Sequence, residues 1–479
     1  MNQDQFDAIV IGAGPGGSSC AALLAKKGLK TLLIEQNNKA GGKAMTVSKN
    51  GFRYELWPVT GGPMYNSRFE DILKEMGLAS EMVLPSHPTT MYYPDRSGRY
   101  QPFSGSLFGS PPDAVNQPEA SPEVQMAKAM KWLGITEKDL EKIVRMAMED
   151  ATLTIPDIER LQNISYDEHI RKYDLPQSLI SLLGMQCNII FERCVEAFEQ
   201  LGGEVRFTTR VEKIIVESGQ VRGVQTSKGT FYAPIVVSNA GIQPTVLKLV
   251  GEDHFDKGYV NRVKDLVPSL GLMGTRYFLN RPFFKEGMNI AFSDMTYWDA
   301  ERAQKAAKGE VPDELLVFNV IPSNFDPDLS PPGKQCVLSS TLCPADPDMK
   351  NGDAYWAKLD HMMDRIWPGF SDCIEYKETY GTKDVSTLLR EKVLPGIGGE
   401  CIGLGQVVGQ CGDGKPSFDP PIRGLFYVGC DAGGYGCGTH QGIDSGFNVA
   451  GQVEMYHHPF IIAGLMDIFA GASNRRSLP

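Results

Sequence analysis

A glycine-rich turn near the start of the chain restricts its fold more than any other feature of the sequence. The apolar run Ala8 to Ile11 leads directly into Gly12-Ala-Gly14-Pro-Gly-Gly17. Four consecutive apolar residues are typical of a parallel strand that is buried on both faces. Gly12 allows a tight turn, Gly14 lets a ligand approach the backbone, and Gly17 lets the following helix pack closely against the strand. The pattern predicts a strand, a phosphate-binding turn and a helix, in that order.

The residues after this turn complete a dinucleotide-binding unit. Ser18 to Lys27 has the composition of a helix, Gly28 supplies its stop, and Leu32 to Ile34 is a second apolar run. Glu35 then follows at the spacing, about 20 residues past the last glycine, at which an acid binds ribose hydroxyls. Backbone N–H groups and the helix dipole are expected to face the pyrophosphate. An acid rather than a basic residue at position 35 disfavours a 2′-phosphate.

A second glycine-rich motif with an acid lies near the other end of the chain. It runs Gly424-Leu-Phe-Tyr-Val-Gly429-Cys-Asp431-Ala-Gly-Gly434. We expect the chain to fold back and bring Asp431 to the middle of the same dinucleotide, which favours a tightly held, non-covalent FAD over a visiting NAD. A second complete fingerprint is missing, because Gly403-x-Gly405-x-x-x-Gly409 has no adequate preceding strand. NAD(P)H is therefore expected only as a transient electron donor or acceptor.

Composition excludes several other classes of protein. The 479 residues carry a net charge of −11 and no basic stripe, so a nucleic-acid partner is not expected. The sequence shows no signal peptide and no apolar stretch of about 20 residues that could span a membrane. The ten cysteines are scattered without a CxxC pair, which predicts reduced thiols, a cytoplasmic protein and no metal site.

The pattern of elements predicts an α/β fold in which two domains are each built from separate segments. The predicted FAD-binding domain combines residues 1–60, 204–241 and 397–457, and the predicted substrate-binding domain combines residues 61–203 and 242–396, leaving 458–479 as a C-terminal tail. The predicted elements include hairpins between Val211 and Thr226, a strand from Thr230 to Ser238, strands from Gly274 to Asn280 and from Glu314 to Val320, and a helix from Tyr355 to Ile366.

These motifs resemble those of the FAD-dependent amine oxidase and phytoene desaturase superfamily, most closely its carotenoid desaturase, carotenoid isomerase and retinol saturase branch. The resemblance covers essentially the whole chain. It depends on the N-terminal fingerprint extended by Gly41-Gly42-Lys43, on Leu201-Gly-Gly-Glu-Val-Arg, on Val236 to Gly241, and on Gly429-Cys-Asp431. It implies a Rossmann-like, doubly wound FAD-binding domain of the GR2 flavoprotein type with a discontinuous α+β substrate domain.

The resemblance also assigns the residues that would bind the cofactor. Glycines and Lys43 would line the pyrophosphate and flavin, the backbone of Val211 would face the adenine, and Asp431 would lie by the phosphates and ribityl chain. The helix that opens at Gly438 would direct its N-terminus at the N1 and O2 edge of the flavin and stabilise the negative charge of the reduced ring. The complete predicted set is Gly12, Gly14, Gly16, Gly17, Glu35, Gln36, Gly42, Lys43, Val211, Ala240, Gly429, Asp431, Gly438, Thr439 and Gly442.

The sequence departs from the family pattern where substrate is expected to bind. A Gly-Gly-Met turn is replaced by Leu183-Gly-Met185, and an Asp-x-Gly-Pro element is replaced by Tyr54-Glu-Leu-Trp-Pro58 and Gly61-Gly-Pro63. These changes leave the substrate of any relative an open question for this chain.

Candidate catalytic residues follow the second motif. His440 would open the last helix, where it could donate to flavin O2 or polarise a substrate carbonyl, and otherwise it only caps the helix or fills space. Gln441, Tyr435 and Cys437 are further candidates to line the site, and Trp57 and Tyr65 to wall the substrate. Cys411 and Cys437 do not match the flavin attachment motif of monoamine oxidases.

The expected reaction is hydride transfer between flavin N5 and a carbon of a small apolar substrate, unsaturated or alicyclic, which creates or removes a C=C bond. Three alternatives remain open: amine oxidation, isomerisation without net redox change, and a non-catalytic binding protein like the Rab GDP-dissociation inhibitors. The lysine that amine oxidases often carry is missing from Leu272 to Asn280, which disfavours the first. The apolar tail from Phe460 to Phe469 could contact a membrane surface or pack against the chain's own domain or a second subunit.

Overall fold

The computed structural model describes residues 5–57, 67–79, 89–95, 97–103, 135–161, 164, 166–176, 193–293, 304–306, 308–411, 414–436 and 438–457. Seventeen strands lie within these ranges, in chain order β1 Ala8–Ile11, β2 Thr31–Ile34, β3 Thr46–Lys49, β4 Phe52–Glu55, β5 Thr89–Pro94, β6 Tyr100–Phe103, β7 Glu204–Arg206, β8 Val211–Glu217, β9 Gln220–Thr226, β10 Gly229–Tyr232, β11 Ile235–Ser238, β12 Gly271–Leu279, β13 Met288–Ala291, β14 Val317–Val320, β15 Gln335–Cys343, β16 Ile374–Tyr380 and β17 Leu425–Tyr427.

The α-helices of the same ranges are α1 Pro15–Lys26, α2 Arg68–Glu75, α3 Glu137–Ala151, α4 Ile155–Leu161, α5 Tyr166–Arg171, α6 Arg193–Gln200, α7 Ile242–Pro244, α8 Lys257–Lys264, α9 Pro322–Phe325, α10 Gly352–Ile366, α11 Thr382–Leu388 and α12 Gly438–His457. A π-helix at Thr245–Val250 continues α7. Short 3-10 turns occupy Gly42–Ala44, Glu252–His254, Pro327–Leu329 and Ser371–Cys373.

A five-stranded parallel sheet forms the centre of the nucleotide-binding part. Its strand order is β17-β11-β1-β2-β7, so segments from both ends of the chain and from its middle lie side by side. The side chains of β1 alternate between two apolar cores: Ala8 and Val10 face α1 and α12, whereas Ile9 and Ile11 face the antiparallel sheet β10-β9-β8. Burial on both faces explains why this strand is an uninterrupted apolar run.

A mixed seven-stranded sheet, in the order β16-β12-β15-β14-β13-β5-β6, forms the second part. All its neighbours are antiparallel except β13 and β5. Helix α10 packs on one face of this sheet through Tyr355, Leu359 and Met362. The strands of the sheet come from residues 89–103 and 271–380. Those ranges fall inside the two segments assigned to the substrate-binding domain, and the domain bounds themselves stay a prediction.

The predicted α/β fold class is confirmed by these two sheets and by the comparisons given below. One element was predicted wrongly: the strand expected from Thr230 to Ser238 is two strands, β10 and β11, which belong to different sheets. The break falls at Ala233 and Pro234, because proline has no N–H to donate to a continuous ladder.

Several sequence predictions fall outside the described residues: Leu183 to Met185, Pro58 with Gly61 to Pro63, Tyr65, Cys437, and the tail 458–479. Within the described ranges, no helix is long and apolar enough to cross a bilayer.

Candidate functional site

The turn between β1 and α1 has the geometry of a phosphate-binding turn. Gly12 has φ of +89°, a conformation that side chains other than glycine rarely adopt. A methyl group on Gly17 would lie 1.9 Å from the Gly12 carbonyl oxygen, so the helix can pack this closely on the turn only because residue 17 has no side chain. Both glycines therefore perform the roles that the sequence assigned to them in the backbone.

The N-terminus of α1 is left open toward a ligand. Gly14 is its N-cap residue and supplies no side-chain acceptor, Pro15 follows at the first helical position, and no acid lies in the first turn. The first N–H groups of a helix lack intrahelical partners and carry a partial positive charge. An anion such as the pyrophosphate of FAD fits this end of the helix.

Glu35, at the end of β2, is tied firmly to the turn. Its carboxylate accepts hydrogen bonds from the Ala13 N–H (2.8 Å) and the Asn37 N–H (2.8 Å), and the side chain is only 5% exposed. Burial raises the pKa of Glu35, although these N–H donors oppose that effect. The neighbouring Gln36 directs its amide away, to the Leu388 carbonyl oxygen (2.9 Å).

The Gly41-Gly42-Lys43 segment lies against the same turn. Gly42 has φ of +59°, and a methyl group there would lie 3.1 Å from Gly14 Cα, so the two glycine backbones are in contact. Lys43 is half-buried, and burial together with the charge of Arg390 lowers its pKa. A cation without a hydrogen-bonded partner among the described residues is suited to an incoming phosphate or flavin.

The segment that contains β8 and β11 contributes one residue, Asn239, that was not singled out from the sequence. Val211 is buried at the start of β8 and Ala240 is half-buried after β11, and their contacts with the cofactor stay a prediction. Between β11 and Ala240, the Asn239 amide donates to the Gly12 carbonyl oxygen (3.3 Å). A methyl group on Gly429 would lie only 2.4 Å from the side-chain oxygen of Asn239. Asn239 therefore joins the first motif to the second.

The second motif passes directly over the first turn of α1. A methyl group on Gly16 would lie 2.7 Å from Gly429 Cα, and the Gly429 N–H donates to the Ser445 hydroxyl (3.0 Å). The Cys430 thiol donates to the Gly438 carbonyl oxygen (3.0 Å), and burial raises the pKa of this thiol to about 11. A protonated thiol at pH 7 agrees with a structural role for Cys430.

Asp431 is buried in contacts with the protein itself. Its carboxylate accepts hydrogen bonds from the Ile242 N–H (2.9 Å), the Leu404 N–H (3.1 Å) and both terminal nitrogens of Arg390 (3.2 and 2.9 Å). Burial alone would raise the pKa of Asp431, but the Arg390 guanidinium lowers it below its ordinary value. Its predicted place beside the phosphates and ribityl chain therefore depends on the loop geometry rather than on a free carboxylate.

The first turn of α1 packs against Gly442, the fifth residue of α12. A methyl group on Gly442 would lie 3.3 Å from Pro15 Cβ and 3.4 Å from the Gly16 nitrogen. Gly438 and Thr439 are buried at the start of α12, and no acid lies in its first turn. Two helix N-termini thus lie side by side, and together they favour a ligand with more than one anionic group.

The three predicted catalytic side chains have different surroundings. His440 is half-buried, and its Nε2 accepts a hydrogen bond from the Arg68 N–H at the start of α2 (3.3 Å). Gln441 is buried, and its Oε1 has no hydrogen-bond partner among the described residues, which suits a bound donor. Tyr435 is 70% exposed. His440 therefore caps α2, and the catalytic assignment of all three residues stays a prediction.

A cavity of about 320 Å³ lies beside His440. Its lining is mainly polar or charged: Ser67, Arg68, Asp71, Tyr435, Gly436, His440 and Asp444. Arg68 forms an ion pair with Asp444 (2.7 Å) and lies over the Phe447 ring. The volume falls at the lower end of the range of roughly 300–1,000 Å³ that ligand sites have.

Sequence reasoning missed Asn239, Arg390 and Glu400. The asparagine follows a predicted strand at the edge of the site, where a polar residue at the carboxyl end of a parallel strand could have been noticed. Arg390 and Glu400 carry no local signal, because Arg390 pairs with Asp431, which is distant in the sequence, and Glu400 pairs with Arg390.

Comparison with known proteins agrees with this geometry. The model of an NAD(P)-binding Rossmann-like domain matches residues 10–76. A lycopene-forming phytoene desaturase from Pseudescherichia vulneris is 23% identical, over 91% of this chain and 95% of that protein. The all-trans-retinol 13,14-reductase of Homo sapiens is 25% identical over 68% of this chain, which spans 63% of that protein's length.

Among solved structures, a triple mutant of putrescine oxidase has the same fold. Its TM-score is 0.62 at 13% sequence identity, with 94% of this chain and 98% of the other covered. The predicted resemblance to the superfamily of FAD-dependent amine oxidases and phytoene desaturases is confirmed by these relatives. The chain is an oxidoreductase whose relatives in sequence are desaturases and reductases, and the predicted enzyme class is confirmed.

Proposed function

We propose that this protein is an FAD-dependent oxidoreductase that transfers hydride between flavin N5 and a carbon of an apolar substrate. The substrate is an unsaturated or alicyclic molecule in which a C=C bond is created or removed. The cofactor is held without a covalent bond, and NAD(P)H takes part at most as a transient donor or acceptor.

One observation carries this proposal: the N-termini of α1 and α12 meet at Pro15, Gly16 and Gly442, where the first and last motifs of the chain come together. A simple dinucleotide site needs only one such helix end, for the pyrophosphate. A second helix end supports a ligand that becomes negatively charged elsewhere, as a flavin does on reduction.

The relatives support a reaction at carbon–carbon bonds. One is named as a desaturase of phytoene and another as a reductase of all-trans-retinol, so the two names describe opposite directions of the same kind of change. Within this chain, β12 carries Arg276 and no lysine in its described length, which disfavours an amine oxidase. The direction used by this protein is not implied by either name.

When bound, FAD supplies the hydride acceptor or donor. The chain's own residues bind and orient it: the first turn of α1 would hold the pyrophosphate, Glu35 would fix the adenosine side, and Lys43 would offset negative charge. His440 is placed at the mouth of a polar cavity, where it could hold a proton for a reacting group while it accepts from the Arg68 N–H.

The decisive experiment is an absorption spectrum of the purified full-length chain, followed by anaerobic reduction and reoxidation. Bound flavin would give bands near roughly 370 and 450 nm, as expected of a flavin cofactor. Oxygen, a quinone, NAD(P)⁺ and a panel of enones then serve as oxidants of the reduced protein.

Fast reoxidation by an enone supports a saturase, and fast reoxidation by a quinone supports a desaturase that passes electrons on. Peroxide formed with amines would favour amine oxidation instead. A product rearranged without consumption of an acceptor would favour isomerisation. A colourless protein that takes up no FAD on reconstitution would overturn the redox proposal and support a binding protein.

A further inference from the structure

Arg390 is a buried cation at the end of α11 that joins two acids distant in the sequence. Its terminal nitrogens donate to the two carboxylate oxygens of Asp431, at 3.2 and 2.9 Å, in a paired arrangement. Its Nε lies 3.2 Å from Glu400 Oε1. Arg390 is 8% exposed and Glu400 is fully buried, so the three charges are shielded from water. Paired arginine–carboxylate contacts fix orientation as well as distance.

Asp431 gathers two further segments around this contact. The Ile242 N–H at the start of α7 and the Leu404 N–H donate to its two oxygens. A methyl group on Gly403 would lie 2.5 Å from Asp431 Oδ1, and one on Gly241 would lie 2.8 Å from the Arg390 guanidinium. The Asp431 carboxylate is thus surrounded by these backbone segments and by Arg390. We expect a shift of Arg390 to move this carboxylate.

The other side of the same turn lies on the phosphate-binding end of α1. Gly429 is two residues before Asp431, and it leaves no room for a methyl group on Gly16. Its N–H is held by the Ser445 hydroxyl of α12. The turn from Gly429 to Asp431 is therefore clamped between the two helix N-termini on one side and Arg390 on the other.

We propose that Arg390 is a positioning residue for the cofactor, which acts through Asp431 and has no contact with FAD of its own. This inference depends on the proposed function, because it assumes that FAD binds at the N-terminus of α1 beside the second motif. The guanidinium fixes Asp431 and, with it, the position of the Gly429 to Asp431 turn against the first turn of α1.

A merely structural role would have a different signature. Removal of one partner from a buried charge pair destabilises a protein generally, because the other charge is left unpaired. Such a loss would lower the melting temperature of apoprotein and holoprotein alike and leave the affinity for FAD unchanged. A positioning role requires that the affinity falls in a variant whose apoprotein is still folded.

The test compares R390K and R390M with the matched control R365M in the full-length chain. Lysine retains the charge but lacks the planar pair of nitrogens with which Arg390 faces the two oxygens of Asp431. Arg365, on α10, also forms a paired contact with a carboxylate, that of Glu314. Each protein is stripped of flavin, and its apoprotein melting curve, its dissociation constant for FAD and its visible flavin circular dichroism are measured.

We expect R390K to raise the dissociation constant for FAD at least tenfold and R390M to raise it further, with altered flavin circular dichroism in both. R365M should leave all three cofactor measurements unchanged. D431N should also weaken the binding of FAD. The double variant R390M/D431N should bind FAD no more weakly than the weaker-binding of the two single variants, because both substitutions break the same contact.

Wild-type affinity in R390K would overturn this inference alone. Failure of both Arg390 variants to fold as apoprotein would also overturn it, because Arg390 would then be a folding residue. Absence of FAD binding by the wild-type chain would overturn the proposed function and this inference with it, so the two failures are distinguishable.

Discussion

The crossing of α1 and α12 predicts a large effect of one methyl group at Gly16. In G16A the new Cβ would lie 2.7 Å from Gly429 Cα, 2.9 Å from the Gly429 nitrogen and 3.1 Å from the Gly442 carbonyl oxygen. All three neighbours are backbone atoms, so no side chain can rotate away. The two motifs have to separate by several tenths of an ångström.

The expected cost can be estimated from two opposing effects. Alanine gains up to about 1 kcal/mol over glycine in a helix, and less in its first turn. Overpacking costs about 1–3 kcal/mol, and backbone neighbours on two sides favour the upper end. We expect a net loss near 2 kcal/mol, which lowers the melting temperature on the order of 2–5 °C in a chain of this size.

The matched control is G451A in α12. Apart from the helix's own backbone, no atom of the described residues lies within 4 Å of the Cβ that it would add, so the helix preference dominates and the protein should gain up to about 1 kcal/mol. The assays are thermal melting of the apoprotein and titration with FAD, in which G16A should bind at least tenfold more weakly. Melting and FAD affinity of G16A within error of wild type would refute the packing argument.

Three further predictions concern the same site. E35Q should lose about 1–3 kcal/mol of stability and bind FAD more weakly, because the single oxygen of an amide can accept from only one of the Ala13 and Asn37 N–H groups. Denaturant unfolding measures the loss of stability. The pKa of Lys43 lies below its ordinary value of 10.5, and bound phosphate favours the protonated form of the lysine. FAD affinity should therefore fall as the pH rises through this lowered pKa. K43M should remove this dependence in titrations at several pH values. H440A should lose about 1 kcal/mol of stability, because the Arg68 N–H at the start of α2 loses its acceptor. A fall in kcat of more than tenfold without loss of FAD affinity would support a catalytic role for His440.

Each of these has its own control or contrary outcome. For E35Q the control is D7N, because Asp7 is partly exposed and accepts from a single backbone N–H, that of Lys30. For Lys43 the sign matters: affinity that rises with pH would show that the lysine does not face the phosphates. For His440, unchanged kcat with reduced melting temperature would leave only the capping role.

The sequence predicted those parts of the fold in which a short segment determines its own conformation. The strand Ala8–Ile11 was predicted with its bounds, because both of its faces are apolar. The stop of α1 at Gly28 was predicted as well, and that glycine has φ of +85°. Each of these depends on a few neighbouring residues, so one sequence is sufficient to find it.

Contacts between distant segments could not be predicted in the same way. Arg390 and Asp431 are 41 positions apart, and no local pattern marks either as the partner of the other. The polar cavity beside His440 forms because the start of α2 packs against α12, which the sequence did not suggest. Burial of a charge is a tertiary property, since it requires that several elements have already assembled around the group.

The two acids marked by the motifs show why binding and stability are coupled at this site. Glu35 and Asp431 both accept from backbone N–H groups in other segments, so each carboxylate holds protein segments together before any cofactor arrives. Loss of flavin after mutation of either acid therefore does not by itself establish a contact with FAD. The first backbone N–H groups of α1 and α12 have no intrahelical partners, and they cannot be removed by substituting a side chain. The affinity for FAD should then depend most on residues that hold those two helix ends together, which is why Gly16 and Arg390, rather than the acids alone, are the informative positions to change.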